Sequence, residues 1–109
     1  MKINPERFRW KAPENNQDGT PIDYELDYEL GLMNEDGEIV PFVVIPEKLQ
    51  DNEYYTAEIE QFDLDAGQFE FAIRSFAAND RDRKSQWSET VEFAISDRIP
   101  SLPLEFSVE

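Results

Sequence analysis

Short alternating apolar runs, turn residues roughly every ten positions and no sustained helical period predict an all-β protein. The expected architecture is a sandwich of about seven antiparallel strands in two sheets. Phe8 and Trp10 alternate before Pro13. Ile22, Tyr24, Leu26, Tyr28 and Leu30 then share one face, with Asp23, Glu25, Asp27 and Glu29 on the other, so a half-buried strand is expected over 22–30. Asp36-Gly37 between apolar flanks is a hairpin signal. Ile39 to Ile45 is rich in β-branched residues and carries Pro41, which suits an edge strand. Pro46 to Glu53 reads as polar and turn-like.

Tyr55, Ala57 and Ile59 alternate again, followed by Leu64 and a turn at Asp65-Ala66-Gly67. Phe69, Phe71, Ile73 and Ser75 form another face, and Val91, Phe93 and Ile95 a further one. The expected core draws on Trp10, Tyr24, Leu26, Tyr28, Ile59, Leu64, Phe69, Phe71, Ile73, Val91 and Phe93. One domain is expected over residues 1–97. Residues 98–109 differ in kind: Pro100 and Pro103 suggest an extended linker, after which Leu104, Phe106 and Val108 alternate as if opening another strand.

The 109 residues suffice for one modest core. Twenty-five acidic side chains face ten basic ones, a formal charge of −15 with no histidine. That charge repels nucleic acid and anionic membrane surfaces, so neither is an expected partner. Cysteine is absent, which removes disulfides and thiolate metal sites. The opening Met-Lys-Ile-Asn-Pro lacks the apolar stretch of a signal peptide, and no apolar run is long enough for a transmembrane helix.

Without His or Cys, the usual general base and the thiol nucleophile are missing. Neighbouring carboxylates such as Asp63 with Asp65, or Glu35 with Asp36, are expected by chance in so acidic a chain, and a small sandwich offers no deep cleft to tune them. No catalytic residue is assigned, and no cofactor is expected. Glu14, Asn16, Asp18, Gly19 and Glu25 fall on positions 1, 3, 5, 6 and 12 of a calcium loop. The flanks alternate as strands rather than helices, however, and Asn-Gln-Asp-Gly-Thr-Pro is ordinary turn chemistry. Asp18 and Asp23 remain weak metal candidates. Asp80, Arg81, Asp82, Arg83 and Lys84 hold three of the ten basic residues of the chain. With Trp87, whose exposure the sequence leaves open, they form the candidate partner-binding set.

Several of these residues together resemble the fibronectin type III domain. Trp10 and Pro13 match its W-x-x-P at the end of strand B. Asp18 to Ile22, followed by Tyr24, Leu26 and Tyr28, is similar to its B–C loop and the alternation of strand C. Leu64, Gly67, Phe69, Phe71 and Ile73 resemble the L-x-x-G-x-Y-x-F-x-V that turns into strand F. Asn79 with Ser85-Gln86-Trp87-Ser88 is similar to the N…S-x-W-S that leads into strand G.

The chain departs from that pattern in places. Phe69 stands at the tyrosine-corner position and has no hydroxyl to bond the backbone. Strand A is expected to be missing before Phe8, and Pro100 to Val108 resembles the linker and strand A of a following repeat.

The resemblance implies an immunoglobulin-like sandwich acting as a non-catalytic spacer or adhesion unit of a larger exported, cell-surface or phage tail protein. Its partner would be another protein or neighbouring domains of the same chain. Two alternatives carry distinct expectations. A carbohydrate-binding accessory module of a secreted hydrolase needs exposed coplanar aromatics, and a calcium-dependent adhesion repeat needs calcium to stabilise the fold.

Overall fold

The computed structural model describes residues 2–97 and 102–109. The expected linker residues 98–101, Pro100 among them, lie outside the described residues. The fold is all-β, with nine strands and one 3₁₀ turn among those residues. In chain order the strands are β1 (Lys2–Ile3), β2 (Arg7–Lys11), β3 (Leu26–Met33), β4 (Ile39–Val44), β5 (Leu49–Asp51), β6 (Tyr54–Glu58), β7 (Gly67–Ala77), β8 (Asp80–Lys84) and β9 (Val91–Ile95).

They form two sheets. The larger runs β1-β9-β7-β3-β4, with β8 also paired to β7, and the smaller runs β2-β6-β5. All pairings are antiparallel except that of β1 with β9, so the larger sheet is mixed. A short strand thus does precede Phe8, but it joins β9 rather than β2.

The strand expected over 22–30 is displaced toward the C-terminus. Leu26 pairs with Ala77, the last residue of β7, and the ladder closes with Ala78 N–H donating to the Glu25 carbonyl at 2.9 Å. Residues before Glu25 have no strand to pair with, and the chain there folds into a small hairpin bridged at Asn15 and Pro21.

Asp36-Gly37 does turn the β3–β4 hairpin. Asn34 Oδ1 accepts from the amides of Asp36 and Glu38, and Gly37 takes φ 79°. β4 is an edge strand, as Pro41 suggests, and Phe42 is its extra residue at a bulge opposite Leu30/Gly31. The 46–53 segment, expected as a turn, contains β5, a short strand whose three side chains are all exposed and so leave no alternation to read.

The two inner faces meet through aromatic rings. Phe8 of the smaller sheet lies edge-on to Phe71 and Phe93 of the larger, at 5.6 and 5.7 Å. Trp10 meets Tyr28 at 5.1 Å and stacks on Tyr55. Burial raises the Tyr28 phenol above its ordinary pKa.

Of the expected core, Tyr28, Ile59, Phe71 and Phe93 are buried. Trp10, Tyr24, Leu26, Leu64, Phe69 and Ile73 are half-buried. Val91 is 53% exposed, because it lies on the open groove between β2 and β9 rather than under a covering strand. Phe69, lacking a hydroxyl, instead packs its ring against Phe71 and Phe93.

Residues 102–109 contain no strand, and Leu102, Leu104, Phe106 and Val108 are exposed. The alternation is present but pairs with nothing, and Glu105 bends the segment at φ 55°.

Candidate functional site

Antiparallel register decides what gathers on the outer face of the larger sheet. It sets Glu29 of β3 opposite Arg74 of β7, and Gly31 opposite Ala72. The sequence alternation assigns Glu29 to solvent, yet it is only 8% exposed. Its Oε1 accepts from Arg74 Nε at 2.7 Å, and its Oε2 from Arg81 at 3.3 Å. A nearly buried carboxylate is tolerable only with such charge-assisted partners.

The cover over this pair is Trp87. The Arg74 guanidinium lies 4.0 Å from its ring centroid, a close cation–π contact. The segment bearing Trp87 is held to β7 by two serines used in the same way. Ser85 N–H donates to the Ser75 carbonyl, and Ser85 Oγ accepts from Ser75 N–H. Ser88 repeats both bonds with Ile73. Side-chain oxygens therefore complete the ladder that a strand would otherwise supply. The S-x-W-S pattern carries the signal for this arrangement, but the position of the indole depends on a contact with β3 that spacing alone does not reveal.

That contact requires Gly31. A Cβ there would sit 2.5 Å from Ile39 Cγ2 and 2.8 Å from the Trp87 ring. Placing alanine in a strand ordinarily helps, so the sign of this substitution is diagnostic. Gly31→Ala is expected to destabilise by about 1–3 kcal/mol, as overpacking does, and to change Trp fluorescence as the indole lifts. A urea midpoint equal to or above that of the parent would contradict this packing.

The charged run Asp80–Lys84 is the edge strand β8, joined to β7 by a two-residue turn at Ala78-Asn79. Ala77 pairs with Asp80 but Phe76 with Lys84, so Arg81, Asp82 and Arg83 bulge outward. Arg81 reaches Glu29 and lies over Phe76, whereas Arg83 lies 4.5 Å from the Tyr24 centroid. The Tyr24 hydroxyl in turn donates to Asn16 Oδ1 of the 14–25 loop. A shallow pocket of about 270 Å³ between that loop and β8 is lined by Asn16, Tyr24, Asp82 and Arg83.

The weak metal candidates are not brought together with these residues. Asp18 Oδ1 accepts from Thr20 N–H at 3.0 Å and from Thr20 Oγ1 at 2.6 Å. These bonds hold its pKa below the ordinary carboxylate value. Asn16 spends its amide on Thr20 and Pro21, and Gly19 takes φ 88° at the tip. Asp23 is exposed beyond the hairpin. Among the described residues, no three acidic side chains converge on a common point that would hold a cation.

Arg74 is thus set against Trp87, Arg81 against Phe76 and Arg83 against Tyr24, on an otherwise strongly acidic chain. Comparison of the chain with family models, with curated proteins and with solved structures finds no match in any of the three.

Proposed function

We propose that the chain is a fibronectin-type-III-like module that acts, without catalysis, as a spacer or adhesion unit of a larger exported, cell-surface or phage tail protein. The observation that carries this reading is the order of neighbouring strands. β9, β7, β3 and β4 lie side by side in one sheet, opposed by β2 and β6 in the other, an arrangement that a sandwich of this kind can adopt. The step from that architecture to function is one of analogy. The recognition surface of the module is the β8 edge, where Arg81, Arg83 and Lys84 present positive charge to a protein partner or a neighbouring domain.

The packing of the aromatic rings favours this reading over a sugar-binding module. Trp10 packs against Tyr28 and stacks on Tyr55, Tyr54 lies under Arg9, Tyr24 under Arg83 and Trp87 under Arg74. Their faces are occupied, whereas a sugar platform needs free ones.

The test is a thermal melt of the chain alone, with millimolar calcium, with chelator and with a panel of soluble oligosaccharides. A ligand that binds the folded state raises the melting temperature. One transition, unmoved by any addition, is the expected result. A rise of several degrees with calcium would replace the reading with a calcium-dependent adhesion repeat, and a rise with a sugar would replace it with a carbohydrate-binding module.

A further inference from the structure

The smaller sheet ends in β2, whose outer edge pairs with no strand among the described residues. Beside that edge an open groove of about 750 Å³ runs between the sheets, with Phe8, Trp10, Phe71, Val91 and Phe93 along its walls. An unpaired edge over an apolar groove is a template for an added strand, whose backbone bonds to the edge while alternate side chains fill the groove.

The same chain carries a segment with the matching pattern. In Leu104-Glu105-Phe106-Ser107-Val108-Glu109 the apolar residues alternate with polar ones, and the four apolar side chains from Leu102 to Val108 are fully exposed. The charges also match. β2 reads Arg7-Phe8-Arg9-Trp10-Lys11, with the apolar side chains inward and the three cations outward. An acidic, alternating strand is the complement of a basic, alternating one. Arg7 and Lys11 already pair with acids, whereas Arg9 lies on the Tyr54 ring and pairs with no acid among the described residues.

We propose that the 104–108 segment of one copy of this chain docks as an added strand on β2 of a second copy, antiparallel to it. Phe106 lies opposite Phe8, which places Glu105 opposite Arg9 and Leu104 opposite Trp10. The bend at Glu105 straightens on docking. The segment's own β2 is a poorer acceptor. β9 ends at the pole where β2 begins, because Asn4 N–H bonds the Ala94 carbonyl just before Arg7. A segment folding straight back along its own β2 would therefore run parallel to it, the less stable pairing. A second copy can approach antiparallel. The contact joins two different surfaces, so it propagates head to tail into open chains or closes into rings.

The experiment is sedimentation velocity of the full chain from micromolar to millimolar concentration. The expected result is a mass that rises with concentration and falls with added salt. Phe106→Asp alters a side chain that is 93% exposed, so its melting curve should match that of the parent while its association weakens at least about tenfold. Arg9→Glu and Glu105→Arg should each weaken association alone, and an equimolar mixture of the two should restore it, because every groove then meets a tail of opposite charge. A chain that stays monomeric throughout would overturn the proposal, including the case where the tail folds onto its own β2. Association that Phe106→Asp leaves unchanged, or a mixture of the two charge variants that does not associate, would overturn it as well.

Discussion

Phe71→Ala is expected to cost about 3–5 kcal/mol, as deletion of a buried aromatic ring generally does. Phe71 is 1% exposed and sits where four other rings converge: Phe8 across the sheet interface, Phe42 from the β4 bulge, and Phe69 and Phe93 from its own sheet. Its neighbours belong to three strands of one sheet and one of the other, so no small shift can close the void. A domain of this size is typically stable by only about 5–15 kcal/mol, so the variant should be marginal at room temperature. A more conservative change keeps the question measurable if the alanine variant does not fold. Phe71→Leu retains most of the volume and should cost less, about 1–1.5 kcal/mol. Chemical denaturation of both variants provides the check, and a loss below about 1 kcal/mol for alanine would mean that Phe71 is not the keystone of the core.

Glu29→Ala should be comparably damaging for a different reason, at about 3 kcal/mol. The carboxylate is nearly buried between Arg74 and Arg81, and its removal leaves the Arg74 guanidinium largely desolvated beneath Trp87 with no counter-charge. Arg81 is mostly exposed and can return to water, so the cost falls on Arg74. That asymmetry can be tested. In a double-mutant cycle, Glu29→Met with Arg74→Met should be far less harmful than either single change, since the pair leaves together and no charge remains buried. If Glu29→Ala costs less than about 1 kcal/mol, the outer-face cluster does not hold the fold together.

The two predictions mark the two halves of what the sequence discloses. Phe71 was legible: it stands in a strict alternation, and period two puts it inside. Glu29 stands in an equally strict alternation, and the same rule puts it outside, where it is not. The rule assumes that the outer face of a sheet meets water. Here residues 85–88 fold back over that face and set Trp87 over Arg74 and Gly31, a tertiary contact that no local pattern encodes.

The start of β3 was misplaced for a similar reason. Ile22 and Tyr24 continue the alternation, but β7 has already turned at Ala78, and a strand ends where its partner does. β8 was hidden because five exposed charged residues carry no apolar period at all. Of the candidate partner-binding set, Arg81 and Trp87 meet around Glu29 and Arg74, whereas Arg83 turns to Tyr24; the metal candidates Asp18 and Asp23 contact neither group.

The parallel pairing of β1 with β9 has a consequence for how the molecule bears load. In a parallel pair, the beginning of one strand and the end of the other point in opposite directions. Tension applied between the two ends of the domain therefore slides β1 along β9 and strains their bonds together, instead of peeling them one at a time. The Asn4 amide on the Ala94 carbonyl and the Ser96 amide on Asn4 Oδ1 extend that short clamp beyond its two paired residues. Once it slips, the pull passes through Pro5 and Glu6 to β2, where the Ile59 amide bonded to the Glu6 carbonyl is the next point of resistance.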